Sequence, residues 1–465
     1  MTTTFPRSSP SALGIDASGV LAFVRALEST PDVEPHSLML LRHGQVAAEG
    51  WWSPYSPDRV HLVYSLSKSF TAAAVGLAVG EGLVDLDASV LSYFPELDGE
   101  VTDPRSRRML VRHILAMASG HTAETLDRAL ATDPQNLVRG FLLLPPDEEP
   151  GTVFAYNQPC TYTLGEIVRR VSGTSLLGYL RPRLLDPLGI EQAAWLTAGG
   201  GGGELGFSGL HVTTESIAKL GQLYLQDGVW DGRRILPASW VAEATRRQVA
   251  NPDESNPDWR QGYGFQFWMA RHGFRGDGAY GQFCVMLPEF DVVLAMTGQS
   301  ADMQAVLDAA WTHLLPALSA PGSAQADERL AAALAAPALP LVQGASLDSI
   351  AAVRATPDAS NAVPTLDSVE LTRDDDGWRI TLVESDSRLV ASVGLDRWNV
   401  SGALAATGAA DSASGDVLID VIFVETPHRL HVRLAPGAGT FSAHWQTEPL
   451  HTEVGLAGLR APVVE

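Results

Sequence analysis

The chain has 465 residues, 45% hydrophobic and 18% charged, a balance that excludes a disordered polymer and suits a packed enzyme of two or three domains. A formal net charge of −22 repels phosphate backbones and anionic lipid surfaces, so nucleic-acid and membrane partners are not expected. Two cysteines, Cys160 and Cys284, are too few for a disulfide framework or a thiolate zinc site; they read as buried free thiols, or as one bridge.

In chain order, residues 16–29 predict an amphipathic helix. Val20, Phe23, Val24 and Leu27 recur at helical spacing behind Asp16 as a cap. Residues 37–42 predict an apolar strand, His43-Gly44 a turn, and residues 45–51 the return strand. After Ser65, the residues Phe70, Ala73, Ala74, Leu77 and Ala78 make one apolar stripe of a helix with Gly82 at its C-cap. Residues 85–250 read as mostly helical, with breaks at 145–152 and at the Gly199–Gly203 run. Strands resume at 263–269, 283–287 and 292–297, and residues 306–315 close as a helix.

This order predicts an α+β fold. One antiparallel sheet collects strands from both ends of the first 315 residues, helices flank it, and the middle helices form a lobe beside it. Residues 316–345 are rich in Ala and Pro and read as a linker. From 346 to 465 the pattern becomes short period-two strands, at 369–371, 378–383, 389–393, 417–424, 430–434 and 440–445. This predicts a small all-β domain, barrel or sandwich.

Of the 32 basic residues only Lys68 and Lys219 are lysines; the rest are arginines. Arginine cannot give up its proton in a protein, whereas a partly buried lysine can. Lys68 follows Ser65 by three residues, in Tyr64-Ser65-Leu66-Ser67-Lys68. At the start of a helix that spacing sets the two side chains on one face, about 5–6 Å apart at Cβ. The serine can then serve as a nucleophile and the lysine as its base. A solvated lysine near a helix start is the plainer alternative, since a bare Ser-x-x-Lys is common by chance.

From these residues the chain resembles the class C serine β-lactamases, the penicillin-binding proteins and their esterase and peptidase relatives. The resemblance covers about residues 10–315. It rests on the Ser65 segment, on Leu110 to His121, on Pro150 to Gly173, on the stretch from Gly206 to Gly228, and on the Gly-rich residues 276–282. It implies a β-lactamase/transpeptidase-like fold and an acyl-enzyme mechanism with Ser65 as nucleophile, Lys68 as base and Tyr156 as proton shuttle. It implies no metal and no cofactor. A nearby Lys68 ammonium is expected to favour the Tyr156 phenolate.

Two departures stand out. Gln158 occupies the place of the family's asparagine in the second motif. In the third motif, Gly276-Asp277-Gly278 lacks the usual basic residue; Arg275 or His272 could supply charge from next door, although an offset of one residue on a strand points to the other face. The strand would still offer the Ala279 N–H, beside Gly278, as partner to the Ser65 N–H in an oxyanion hole.

The expected reaction is cleavage of a small ester or amide. The alternatives are a β-lactamase, a D-aminoacyl peptidase or amidase, and a non-catalytic relative that binds a ligand in the same cleft. Other candidates are weaker. His428 and His431 fall on opposite faces of a strand, which does not suit a metal. Gly206-Phe207-Ser208-Gly209 lacks the final glycine of a nucleophile elbow, and Trp51-Trp52 reads as core or cleft wall. The C-terminal domain is expected to support the catalytic domain rather than carry chemistry, so that a chain ending near Ser319 would keep a reactive Ser65. No apolar run reaches the ~20 residues of a membrane span, and the first ten residues hold no apolar stretch. A cytoplasmic protein is therefore expected, of open oligomeric state.

Overall fold

A computed structural model describes residues 4–199 and 202–462. Gly200 and Gly201 of the glycine run lie outside them.

The central sheet has six antiparallel strands in the order Gln45–Trp51, Pro35–Arg42, Val292–Gly298, Gln282–Leu287, Phe274–Gly278, Trp268–Met269. Strands from both ends of the catalytic region thus meet, with Leu40 opposite Leu294. The near-continuous apolar runs have a simple cause. Alternate side chains enter two different cores, one on each face of the sheet. Leu38 and Leu40 join the core with Val20, Phe23 and Leu27 of the helix Ala17–Ser29, which Asp16 caps as expected. Met39 and Leu41 join the opposite core, built around the helix Ser67–Gly80.

That helix is buried from Ser67 through Ala78 on all its faces, as a central helix of small apolar residues must be. Gly82 adopts φ 71° just beyond it, where the N–H groups of Gly82 and Leu83 return to the carbonyls of Val79 and Ala78. The region expected to be mostly helical holds short helices, the longer Gln158–Ser172 and Thr214–Leu225, and a small sheet of His61–Leu62, Leu210–Val212 and Ala193–Trp195.

Two expectations change. Of the strand read at 263–269 only Trp268–Met269 joins the sheet. Gln266 takes φ 61°, and the N–H groups of Phe265 and Gln266 bond to the carbonyls of Ala244 and Leu115 instead of a neighbouring strand. The Ala/Pro-rich stretch 316–345 is no simple tether. Between Pro321 and Pro337 it forms the helix Ala324–Leu334, capped by Ser323. Leu330 and Leu334 of this helix are buried with the first core. Ala, Glu, Arg and Leu are strong helix formers, and the prolines lie outside the helix they bracket.

The C-terminal domain is a nine-stranded sheet, eight strands of which close into a β-barrel. In sheet order its strands are Ser387–Gly394, Gly377–Glu384, Ser368–Asp374, Val353–Pro357, Thr440–Trp445, Arg429–Ala435, Val417–Phe423, Leu404–Ala410 and Asn399–Ser401. Ser387–Gly394 also pairs with Leu404–Ala410, Val393 opposite Ala406, which closes the sheet. Its interior is a third core, while Trp398, Ala405, Ile422 and Val424 face outward into the core shared with the central sheet. The barrel is therefore docked by apolar burial. Among the described residues no helix is long and apolar enough to cross a membrane.

Candidate active site

Ser65 sits in a single helical turn, Tyr64–Leu66, that leads into the Ser67–Gly80 helix. Its side chain is half-buried and so reachable, whereas Lys68 is 1% exposed. Helix geometry sets Lys68 Nζ 3.0 Å from Ser65 Oγ. The same Nζ donates to Gln158 Oε1 at 2.7 Å and to the carbonyl of Phe207 at 2.8 Å. Three directional partners leave the amine no freedom to swing away. Ser67, Ser69 and Thr71 fix the helix to its surroundings: Ser67 Oγ accepts from the Leu210 N–H, and Ser69 and Thr71 donate to the carbonyls of Gln266 and Gly206.

Burial lowers the Lys68 pKa to about 7, against the pull of the Glu124 and Asp277 carboxylates. The other lysine, Lys219, is also buried, but it donates to the Gly189 carbonyl and faces Glu215, a structural pairing.

Tyr156 lies with its ring 4.6 Å from Lys68 Nζ and stacks on Trp268, centroids 5.3 Å apart. Burial holds its hydroxyl pKa well above the ordinary value, and Asp277 adds to the effect; interaction with Ser65 opposes it only in part. The expectation of a phenolate favoured by Lys68 is therefore corrected. Burial disfavours both charged forms, and the stable pair is a neutral phenol beside an amine poised near neutrality.

Gln158 opens the helix Gln158–Ser172, and its backbone N–H donates to Glu124. Its longer side chain still brings the amide oxygen to Lys68.

The third-motif strand Phe274–Gly278 approaches the turn carrying Ser65. A Cβ on Gly278 would lie 2.0 Å from the Val63 carbonyl oxygen, so only glycine permits this approach. Ala279 follows immediately, and Ser65, Tyr156, Asp277 and Ala279 line one cavity of about 810 Å³. Position 276 faces the Ser67–Gly80 helix: Ser69 Oγ lies 2.6 Å from where a Cβ would be. Neither suggested substitute supplies a free cation. Arg275 is buried and paired with Asp277, Nε to Oδ2 3.0 Å, and His272 is exposed against Trp311. Asp277 escaped the sequence reading. Strand alternation places it on the same face as Ala279, and that parity was the available signal. Glu124 carried no such signal, because only folding brings it to Gln158.

Ser65 also borders a second cavity of about 900 Å³, walled by Leu126, Leu130, Leu196, Phe207 and, from the C-terminal domain, Leu450. Trp52 is buried with its Nε1 on Glu28, a core role. Both cysteines are free and buried, with thiol pKa values pushed up by burial to about 12. His431 pairs with Asp420, and among the described residues no group of three or more potential ligands could hold a metal ion. His428, paired with His431 only as an unsuitable metal site, is buried and reaches Tyr64, the residue before Ser65.

The chain is similar to known hydrolases and to solved structures of the same fold. The 6-aminohexanoate-dimer hydrolase of Paenarthrobacter ureafaciens is 27% identical over 278 residues, covering 56% of this chain and 71% of that protein. Lovastatin esterase of Penicillium rubens is 29% identical over 162 residues, covering 30% of this chain and 40% of the esterase. Among solved structures, a penicillin-binding protein homologue from Caulobacter crescentus shares the fold with a TM-score of 0.50 at 17% identity, over 67% of this chain and 100% of that one. The Beta-lactamase family model matches residues 24–318, more than half of the chain. That match spans Ser65, Lys68 and Tyr156, and the chain belongs to the Beta-lactamase family, a family of hydrolases.

Proposed function

We propose that the protein is a serine hydrolase that cleaves a small ester or amide through an acyl-enzyme on Ser65. One observation carries the reading: a lysine buried to 1% exposure, with its pKa lowered to about 7, donating to the hydroxyl of a reachable serine at 3.0 Å. Neutral Lys68 takes the Ser65 proton as Oγ attacks the carbonyl carbon. The resulting oxyanion is held by the N–H groups of Ser65 and Ala279, at the positive end of the Ser67–Gly80 helix. Tyr156, as a neutral phenol, gives its proton to the leaving group and regains one from Lys68. Water then enters, losing its proton to the same relay, and releases the acid.

The two cavities that meet at Ser65 differ in chemistry. One is walled by Leu126, Leu130, Leu196 and Phe207 and suits an apolar acyl or alkoxy group. The other carries Asp277 with Trp259 and Trp268, and Gly276, at the position where the family's third motif has its basic residue, offers no cation for an anionic substrate. Simple esters therefore turn over faster than a cephalosporin. A missing charged hydrogen bond is worth about 1.5–3 kcal/mol, or roughly ten- to a hundredfold in kcat/KM. A chromogenic ester series run beside a chromogenic cephalosporin measures this ratio; a higher kcat/KM for the cephalosporin overturns the substrate reading. The covalent step itself is tested with a fluorophosphonate and peptide mass spectrometry, which should find one adduct, on Ser65.

A further inference from the structure

The two residues that flank the proposed oxyanion donors share three features. Tyr64 immediately precedes Ser65, and Tyr280 immediately follows Ala279. Both hold positive φ, 46° and 67°, a region that bulky side chains rarely occupy and that surrounding contacts must enforce. Both hydroxyls are bound by the C-terminal domain. Tyr64 Oη lies 2.5 Å from His428 Nε2, and it accepts from the Leu450 N–H at 3.2 Å. Tyr280 Oη donates to the Glu448 carbonyl at 2.6 Å.

The tautomer of His428 follows from its other nitrogen. Nδ1 lies 3.0 Å from the Thr447 carbonyl, which can only accept, so Nδ1 carries the proton and Nε2 accepts from Tyr64. Tyr64, Tyr280 and His428 also pack edge-to-face in all three pairings, with centroids 5.6–5.8 Å apart. The barrel segments that supply these contacts are themselves fastened to the catalytic region. Gln299 donates to Thr447 Oγ1 at 2.8 Å, Ser208 meets His451 at 2.8 Å, and Arg429 pairs with Glu34 at 2.8 Å.

We propose that the C-terminal barrel is a positioning element of the active site: His428 and the 447–450 segment clamp Tyr64 and Tyr280, and so hold the backbone N–H groups of Ser65 and Ala279 in the arrangement that binds the oxyanion. The proposal rests on the acyl-enzyme reading of Ser65. It keeps the barrel in a supporting role but extends that support to the geometry of the site, and it makes His428 and the two tyrosines positioning residues. A strand or turn residue in an unfavourable φ relaxes when its tether is cut, and a displacement of about 1 Å at a donor is enough to weaken oxyanion binding. Burial keeps His428 neutral, its pKa down at about 3, so the clamp does not titrate across the working range.

The test uses the full-length chain and the variants Tyr64→Phe, Tyr280→Phe, His428→Phe and His428→Gln, with the double variant Tyr64→Phe/His428→Phe. Three quantities are read: kcat and KM on a chromogenic ester, the inhibition constant of an alkyl boronate that forms a tetrahedral adduct on serine, and the thermal midpoint. The clamp predicts a ten- to hundredfold fall in kcat for His428→Phe with KM changed less than threefold, and an equal weakening of the boronate. His428→Gln, which can still accept from Tyr64, recovers most of the loss. The double variant is no worse than the poorer single, because both cut one tether. Tyr280→Phe removes only a hydroxyl and serves as the independent arm should His428→Phe fold poorly; it lowers kcat and boronate affinity together. Folded His428→Phe and Tyr280→Phe proteins with wild-type kcat and boronate affinity overturn the proposal. Failure of the wild-type protein to take a fluorophosphonate on Ser65 overturns the acyl-enzyme reading instead, so the two failures are told apart.

Discussion

Ser65→Ala lowers turnover of any accepted ester by at least ~10³-fold while leaving the fold in place, because it removes the covalent route and little else. The hydroxyl it deletes is one of three partners of Lys68 Nζ; the Gln158 amide oxygen and the Phe207 carbonyl remain at 2.7 and 2.8 Å. No large cavity is created, since Ser65 is half-buried and borders open cleft. A thermal melt within a few degrees of wild type beside a collapsed kcat is therefore the expected pair of measurements. Residual activity reflects the oxyanion donors and binding alone. Substantial turnover by a folded Ser65→Ala protein would remove the nucleophile assignment.

Lys68→Arg is nearly as damaging, by about 10²–10⁴-fold in kcat/KM, although it keeps a cation in place. An arginine never yields its proton, so it cannot accept one from Ser65. The pH dependence gives a second view of the same group. Burial lowers the Lys68 pKa from 10.5 to about 7, so the amine is mostly neutral above pH 7 and mostly charged below it. Wild-type kcat/KM should rise with pH through a midpoint near 7, and Lys68→Arg should lose that limb. The stability sign follows from the same shift. Between about pH 7 and pH 10.5 the unfolded chain holds a proton on Lys68 that the folded chain has released. Raising the pH through that window therefore relieves a destabilising contribution, which is fully present below pH 7. Lys68→Met, which buries no charge, should melt higher than wild type at pH 6 and be inactive. A Lys68→Arg enzyme with near wild-type kcat/KM would end the base assignment.

Local pattern determined a great deal here. The apolar runs at 35–51 and 282–298 are enough to place four strands, because a strand packed on both faces is built mostly of apolar residues. The scarcity of lysine, together with the Ser-x-x-Lys spacing, was enough to single out Ser65 and Lys68, since an i,i+3 pair on a helix is a local relation. Weak local signals left the rest unread. The barrel strand Leu404–Ala410 is built of Ala, Thr and Gly around one Leu, with little intrinsic strand preference, and is a strand only because neighbours bury it completely. The helix Ala324–Leu334 was hidden by the prolines on either side of it.

What only the tertiary structure decided are the relations between residues far apart in the chain. Glu124 under Gln158 and His428 on Tyr64 bring together positions 34 and 364 residues apart. The protonation states depend on burial as much as on residue type. Lys68 and Tyr156 are ordinary side chains in sequence, and the withdrawal of water around them is what lowers one pKa and raises the other. Sequence spacing could therefore name the proposed nucleophile and base, while the burial of each group, and the barrel's contacts to the residues beside the proposed oxyanion donors, follow from long-range packing that no local pattern encodes.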